Sequence, residues 1–149
     1  MVHALSEIRR VLVRDGILID LRPLIDHAPV EVVSADETRL AGMADQLPDD
    51  RALDEAANRA IAKAEAQNWF VKEREEFFTF NLYWDSPKEM RDYLEAEWSN
   101  SATVAEEVWR SVRSMWAVAN ADARVRIPLK MLIARWKVIK DGWAGLYHA

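Results

Sequence analysis

Two charged side chains that could meet a ligand follow a short apolar run near the start of the chain. Asp20 and Arg22 come directly after residues 17–19. Ligands of open α/β sheets bind beyond the carboxyl ends of the strands, so both are candidate polar groups of a pocket. The simpler interpretation of Arg22 is a surface arginine that braces a loop. Four aromatic residues are candidates for the apolar wall of that pocket: Phe78, Phe80, Tyr83 and Trp84.

The sequence lacks the residues that most catalytic and metal sites need. The absence of cysteine excludes disulfides, thiolate metal sites and cysteine nucleophiles. His3, His27 and His148 are scattered, so a histidine metal site is not expected. No G-x-S-x-G motif is present, although serine hydrolases of the α/β type need one. The sequence therefore identifies no catalytic residue and predicts no metal site.

Glycine is scarce and badly spaced for a nucleotide cofactor. Such cofactors are held on α/β sheets by glycine turns that let backbone amides approach the ligand. The 4 glycines are Gly16, Gly42, Gly142 and Gly145, and no two of them form a G-x-G pair. We therefore expect no cofactor to bind this chain alone in the usual way.

Composition limits the other classes of function. At 149 residues, half of them hydrophobic, the chain is expected to form one domain, residues 1–149, with a real core. A net charge of −5 argues against general nucleic-acid affinity. No apolar run is long enough to span a membrane, and a signal-peptide core is absent. A cytoplasmic protein without a nucleic-acid or membrane partner is expected.

The residues from 4 to 23 form the most informative segment, ALSEIRRVLVRDGILIDLRP. Its apolar residues recur at helical spacing, and Gly16 can adopt positive φ and end the helix. Residues 17–20 then have the apolar character of a strand buried in a parallel sheet. The residues on the inner face of the predicted helix are Leu5, Ile8, Val11 and Leu12.

This segment resembles the "aLxEIrRVLkpGGxlixxxxp" segment of class I S-adenosylmethionine-dependent methyltransferases. There it forms the helix before strand five and strand five itself. Of the two glycines usual at the turn, Asp15-Gly16 keeps the second. The family's cofactor-binding half precedes this segment, so the resemblance implies that this half would lie upstream of Met1. It implies S-adenosylmethionine as a cofactor only if an N-terminal half completes the chain.

The remaining elements are predicted from local patterns. A short strand is expected at residues 30–33, irregular chain at 36–48 and a helix from 49 to about 67. Residues 69–84 suggest an extended or partly helical connection. Capping boxes at Ser86–Glu89 and Thr103–Glu106 predict two further helices. Alternation over residues 123–140 predicts a last strand, and its basic residues fit the exposed face of that strand.

The resemblance assigns residues 30–33 to strand six and residues 123–140 to strand seven. It implies an incomplete, Rossmann-like α/β fold with a small three-stranded mixed sheet, ordered five, seven, six, and flanking helices. The strand at residues 17–21 would expose the edge that normally pairs with strand four. Because exposed apolar edges are usually covered, we expect a homodimer, a rearranged helix or an N-terminal half at this edge. Residues 141–149 are expected to form a flexible or docking tail.

Three functional hypotheses follow. The first is a methyltransferase-like C-terminal part that is inactive alone and acts as an assembly or scaffold domain. The second is the substrate-binding half of a small-molecule methyltransferase, completed by an N-terminal partner or upstream sequence. The third is a helical binding module built around the 7 tryptophans, although such residues more often anchor a core.

Overall fold

A computed structural model describes residues 2–140, so the predicted tail at 141–149 lies outside the described residues. The described chain contains four helices and six strands. In chain order they are α1 (Val2–Val11), β1 (Ile17–Leu24), β2 (His27–Val33), β3 (Thr38–Gln46), α2 (Pro48–Ala66), β4 (Phe70–Trp84), α3 (Pro87–Glu97), β5 (Ala102–Val104), α4 (Glu106–Ala117) and β6 (Arg124–Val138).

The six strands form one open antiparallel sheet. Its order is β1-β6-β2-β3-β5, and β4 also pairs with β6. The α/β class is therefore confirmed, while the predicted small mixed sheet of three strands is wrong. Of the additional strands, β3 and β5 come from segments without the alternating pattern that marks a half-buried strand.

By Cα proximity, the described residues divide into two compact units. The terminal unit contains residues 2–21, 54–76 and 132–140, and the central unit contains residues 22–53 and 77–131. Each unit has its own cluster of buried apolar side chains.

The core of the central unit lies between its strands and the helices α3 and α4. Along β2, Ala28, Val30 and Val32 are buried in alternation, as expected for a strand with one face in a core. The same alternation holds in the first half of β6. The largest fully buried side chains of this core are Met90, Ile127, Val30, Val112 and Val125.

The core of the terminal unit is built by α1 and α2 with parts of β4 and β6. Helix α2 matches the helix predicted from residue 49, and its stripe of alanines buries Ala60 and Ala64. Small side chains allow the helix to approach closely. The other buried members of this cluster are Leu5, Phe70, Ala134, Trp136 and Val138.

Strand β6 changes the parity of its buried residues halfway along. In the central unit it buries the odd-numbered Val125, Ile127 and Leu129, whereas in the terminal unit it buries even-numbered residues from Leu132 to Val138. The change falls at Lys130 and Met131, where one unit ends and the other begins. This parity change explains why the alternating sequence pattern becomes continuously apolar after Met131.

Two predictions about the strands need correction. Residues 36–48 are not irregular, because Thr38–Gln46 forms β3 and pairs antiparallel with β2. Of the two interpretations of residues 69–84, the extended one is confirmed and the partly helical one is wrong, because Phe70–Trp84 is one continuous strand. Its charged stretch is compatible with a strand since residues 71–81 are exposed and the charges pair nearby, as between Glu73 and Arg135 at 2.9 Å.

The two predicted helix starts had different outcomes. The first is confirmed: Ser86 Oγ accepts a hydrogen bond from the Glu89 amide at 3.2 Å, and Glu89 Oε2 accepts one from the Asp85 amide at 2.8 Å. The second is wrong. Thr103 lies in β5 opposite Asp45, and the residue that caps α4 is Ala105, without a side-chain bond.

The turn after α1 differs from the prediction in one residue. Asp15, not Gly16, has the positive φ, at 61°. Gly16 is still required there, because a Cβ atom on it would lie 2.9 Å from the carbonyl oxygen of Val13. None of the four helices in residues 2–140 has the length and apolarity that crossing a membrane requires.

Candidate functional site

Asp20 and Arg22 lie within β1, because this strand continues to Leu24 and does not end at Asp20. Alternation along the strand places the two side chains on one face, where both are half-buried. Ile19 and Leu21 point to the other face and are 51% and 54% exposed. The predicted polar pair therefore lies before the end of the strand, not beyond it.

The four aromatic residues of the predicted pocket do not form one wall. Alternation along β4 places Phe78, Phe80 and Trp84 on one face and Tyr83 on the other. Trp84 belongs to the core, with its ring centroid 5.4 Å from that of Tyr93. Phe78 and Phe80 are exposed, so of these residues only Tyr83 lies on the same strand face as the polar groups described next.

A half-buried ion pair connects two strands of the central unit. Glu31 in β2 lies directly opposite Arg126 in β6. The Nε and Nη2 atoms of Arg126 lie 2.8 Å and 2.6 Å from the same oxygen, Oε2 of Glu31. The side chain of Glu31 is only 15% exposed and that of Arg126 is only 23% exposed. Because both N–H groups point to one oxygen, the guanidinium is held in a fixed orientation on this face.

Tyr83 completes this polar cluster. Burial by itself would lower the pKa of Arg126, but hydrogen bonds to Tyr83 and Glu31 outweigh it and raise that pKa above its ordinary value. Arg126 therefore stays charged at neutral pH. A charged guanidinium can orient an anion but cannot supply a proton.

Two more cations lie on β6 next to aromatic rings of β4. The Nε atom of Arg124 donates to Asp85 at 2.8 Å, and its guanidinium lies 5.2 Å from the ring centroid of Tyr83. The Nζ atom of Lys130 lies 4.6 Å from the ring centroid of Phe77. We call this set the cationic strip: Phe77, Tyr83, Arg124, Arg126 and Lys130.

The chemistry of the cationic strip is that of recognition. Guanidinium groups bind carboxylates and phosphates. The strip contains no serine, cysteine or histidine, which are the common nucleophiles and general bases of enzymes. The basic residues were visible in the sequence as the exposed side of a strand. Their grouping with Glu31 was not, since it depends on the pairing of β2 with β6.

A concave feature of the central unit lies at α3, β5 and α4. It is an open groove of about 410 Å³, within the size range of small-ligand sites. Leu94, Val104 and Trp109 supply its apolar surface. Arg91 lies on its polar side, 5.4 Å from the Trp109 ring centroid and 3.0 Å from Glu95. None of the six predicted pocket residues lines this groove.

Within residues 2–140, no three His, Asp or Glu side chains are grouped so that they could hold a metal ion. Comparison with the models of known protein families, with curated proteins and with solved structures finds no match for this chain.

Proposed function

We propose that this chain supplies the part of a class I methyltransferase fold from strand five onward. The S-adenosylmethionine site would then be supplied by an N-terminal half, either a separate partner or upstream sequence. The observation that carries the proposal is the position of β6. It pairs with β1 and with β4, as strand seven of that family pairs with strands five and six. The amide of Val138 donates to Gly16 at 2.9 Å, and that of Ile139 donates to Trp69 at 2.8 Å.

In this proposal β4, and not residues 30–33, takes the place of strand six. The hairpin of β2 and β3 and the helix α2 then form an insertion between strands five and six. Variable insertions carry the substrate specificity of the family. The insertion contributes Glu31, which holds Arg126 in the cationic strip, so a methyl acceptor with a carboxylate or phosphate group is favoured.

The chain alone is then an assembly or scaffold domain without activity. Its 4 glycines offer no G-x-G turn for a cofactor, so completion by a cofactor-binding half is required. Within residues 2–140, β1 pairs with β6 on one side and with no strand on the other. Its exposed Ile19 and Leu21 mark the edge, at residues 17–21, where strand four of a partner half would pair.

The test combines calorimetric titration with sequencing of the DNA that precedes the codon of Met1. Titration of the chain with S-adenosylmethionine and S-adenosylhomocysteine is expected to show no binding. If the upstream DNA encodes in frame a strand and G-x-G-x-G, or if a separate N-terminal partner supplies them, the completed polypeptide should bind both ligands and transfer the methyl group. Micromolar binding to the chain alone would contradict the proposal, as would a completed polypeptide that binds neither ligand.

The edge of β1 gives an independent measurement. If a cofactor-binding half pairs there, the amides of residues 17–21 exchange more slowly in the complex than in the chain alone. Unchanged exchange in a complex that binds the cofactor would remove this edge from the proposal. If slow exchange instead accompanies self-association of the chain through this edge, the partner is a second copy.

The tryptophan-rich binding module is the second candidate. The groove beside Trp109 and Arg91 is the observation in its favour. Against it, Trp84, Trp109 and Trp136 are all at most 6% exposed, which is the burial expected of core residues. Acrylamide quenching distinguishes the two, because a module with exposed tryptophans gives red-shifted, readily quenched emission, whereas core packing gives blue-shifted, protected emission.

A further inference from the structure

We propose that two copies of this chain associate by antiparallel pairing of their β4 strands about Phe80. The starting point is the edge position of β4. Within residues 2–140 this strand pairs with β6 alone, and residues 71–81 are exposed. The inference uses residues 77–83 of the central unit and does not depend on the proposed methyltransferase role or on the edge of β1.

Both faces of this segment carry large exposed apolar side chains. On one face, Phe78 and Phe80 are 43% and 51% exposed, and on the other Phe77 and Tyr83 are 54% and 41% exposed. A free strand edge with exposed apolar side chains is a template for another strand. Proteins usually protect such edges with charge or proline, and residues 77–83 contain neither.

The occupant is indicated by the symmetry of the segment itself. Consider two identical antiparallel strands related by a two-fold axis at Phe80. Each aromatic residue then faces an aromatic or aliphatic residue of the other strand, and each polar residue faces a polar one. Such cross-strand pairs stabilise a sheet. In this register the opposed pairs are Phe77 with Tyr83, Phe78 with Leu82, Thr79 with Asn81, and Phe80 with Phe80.

The neighbouring registers are less favourable. Moving the axis one residue toward the N-terminus places Glu76 opposite Leu82, and moving it one residue the other way places Asp85 opposite Phe77. The first shift brings a carboxylate against an apolar side chain three residues from the axis, which costs free energy on burial. The second shift also places Thr79 opposite Tyr83, so like residues no longer face each other. In the register about Phe80, Glu76 would face Trp84 and Glu75 would face Asp85, so the pairing is limited to residues 77–83. The matching of like residues therefore favours the register about Phe80.

Single-cysteine variants test this register directly, because the chain contains no native cysteine. Directly opposed Cα atoms in an antiparallel pair lie about 4.5–5.5 Å apart, within disulfide range. Phe80→Cys is expected to form a covalent dimer under mild oxidation. Thr79→Cys alone is the matched control, since its two copies would be separated by roughly 8 Å and should not bridge.

Mixing two variants sharpens the test. Thr79→Cys and Asn81→Cys are expected to stay uncrosslinked separately and to form mixed disulfide dimers together. If Thr79→Cys bridges as fast as Phe80→Cys, or if the mixture gives no dimer, the proposed register is wrong.

Sedimentation of the unmodified chain tests the association itself. A reversible dimer is expected, and Phe80→Lys, which places two ammonium groups at the axis, should raise its dissociation constant at least about tenfold. Val118→Lys is the control, because it removes a side chain that is 74% exposed but lies outside β4. Circular dichroism should show that both variants stay folded. A strictly monomeric chain, or equal weakening by both substitutions, would overturn the proposal.

Discussion

A Cβ atom at Gly42 would lie only 2.5 Å from Cγ2 of Val108, so helix α4 packs directly against the backbone of β3 at this point. The approach falls beside an irregularity in the pairing of β2 with β3, between Val30 and Glu31. Gly42 also has a φ of 157°, which side chains rarely adopt. Glycine at this position therefore sets how closely α4 can approach the sheet.

Gly42→Ala is expected to destabilise the protein by about 1–3 kcal/mol, the usual cost of overpacking. Val108 is β-branched and cannot move its methyl groups away by changing a distant torsion. Urea unfolding of Gly42→Ala, Val108→Ala and the double variant measures the effect. We expect the double variant to lose less than the sum of the single losses. Strict additivity would mean that the two residues are not in steric conflict.

Glu31→Gln is expected to cost about 1–2 kcal/mol, because it leaves the half-buried guanidinium of Arg126 without its charged partner. Adding Arg126→Met should recover part of this loss, since the uncompensated charge is removed. Glu37→Gln is the control: its carboxylate lies 2.7 Å from Arg39, but the pair is exposed. That substitution should leave the free energy of unfolding nearly unchanged, because exposed ion pairs contribute little. If Glu31→Gln and Glu37→Gln lowered the free energy of unfolding equally, burial of the ion pair would not explain the effect at Glu31.

Trp136→Phe is expected to change the free energy of unfolding by less than about 1 kcal/mol, because it removes a buried unpaired donor along with the apolar area. Trp136 is 4% exposed, and its Nε1 atom has no acceptor among the described residues. Trp136→Ala should cost about 3–5 kcal/mol, as for other large core truncations. Thermal unfolding compares the two. If Trp136→Phe lowers the free energy of unfolding as much as Trp136→Ala does, the Nε1 atom of Trp136 has a hydrogen-bond acceptor in solution.

The first turn of α4 should make stability depend on pH. A hydrogen bond from Arg113, at 2.9 Å, holds the pKa of Glu106 below its ordinary value of 4.5. Because the folded pKa is lowered, the stabilisation is present above pH 4.5 and is lost as the pH falls through the folded value. The difference in melting temperature between the wild type and Glu106→Gln should therefore shrink in acid. Glu107→Gln controls for the loss of one charge from the same helical turn.

The sequence predicted those elements whose pattern is local. The helices α1, α2 and α3 were recognisable from apolar spacing and from the capping box at Ser86. Strand β4 was not recognised in full because only residues 78–82 alternate, while the charged run at residues 72–76 resembles a solvated helix. The pairing of Glu31 with Arg126 was also out of reach. It depends on a register between residues 95 positions apart, which no local pattern encodes.

The position of β6 also has a consequence for how the chain is made. Val125 and Ile127 belong to one buried cluster and Trp136 and Val138 to the other, so both clusters need the last described strand. During synthesis, neither cluster can be completed before β6 has left the ribosome. The nascent chain consequently displays the apolar strands and helices that precede β6 until β6 has been synthesised. Chaperones that bind such segments therefore have access to the elements from α1 to α4 during that time.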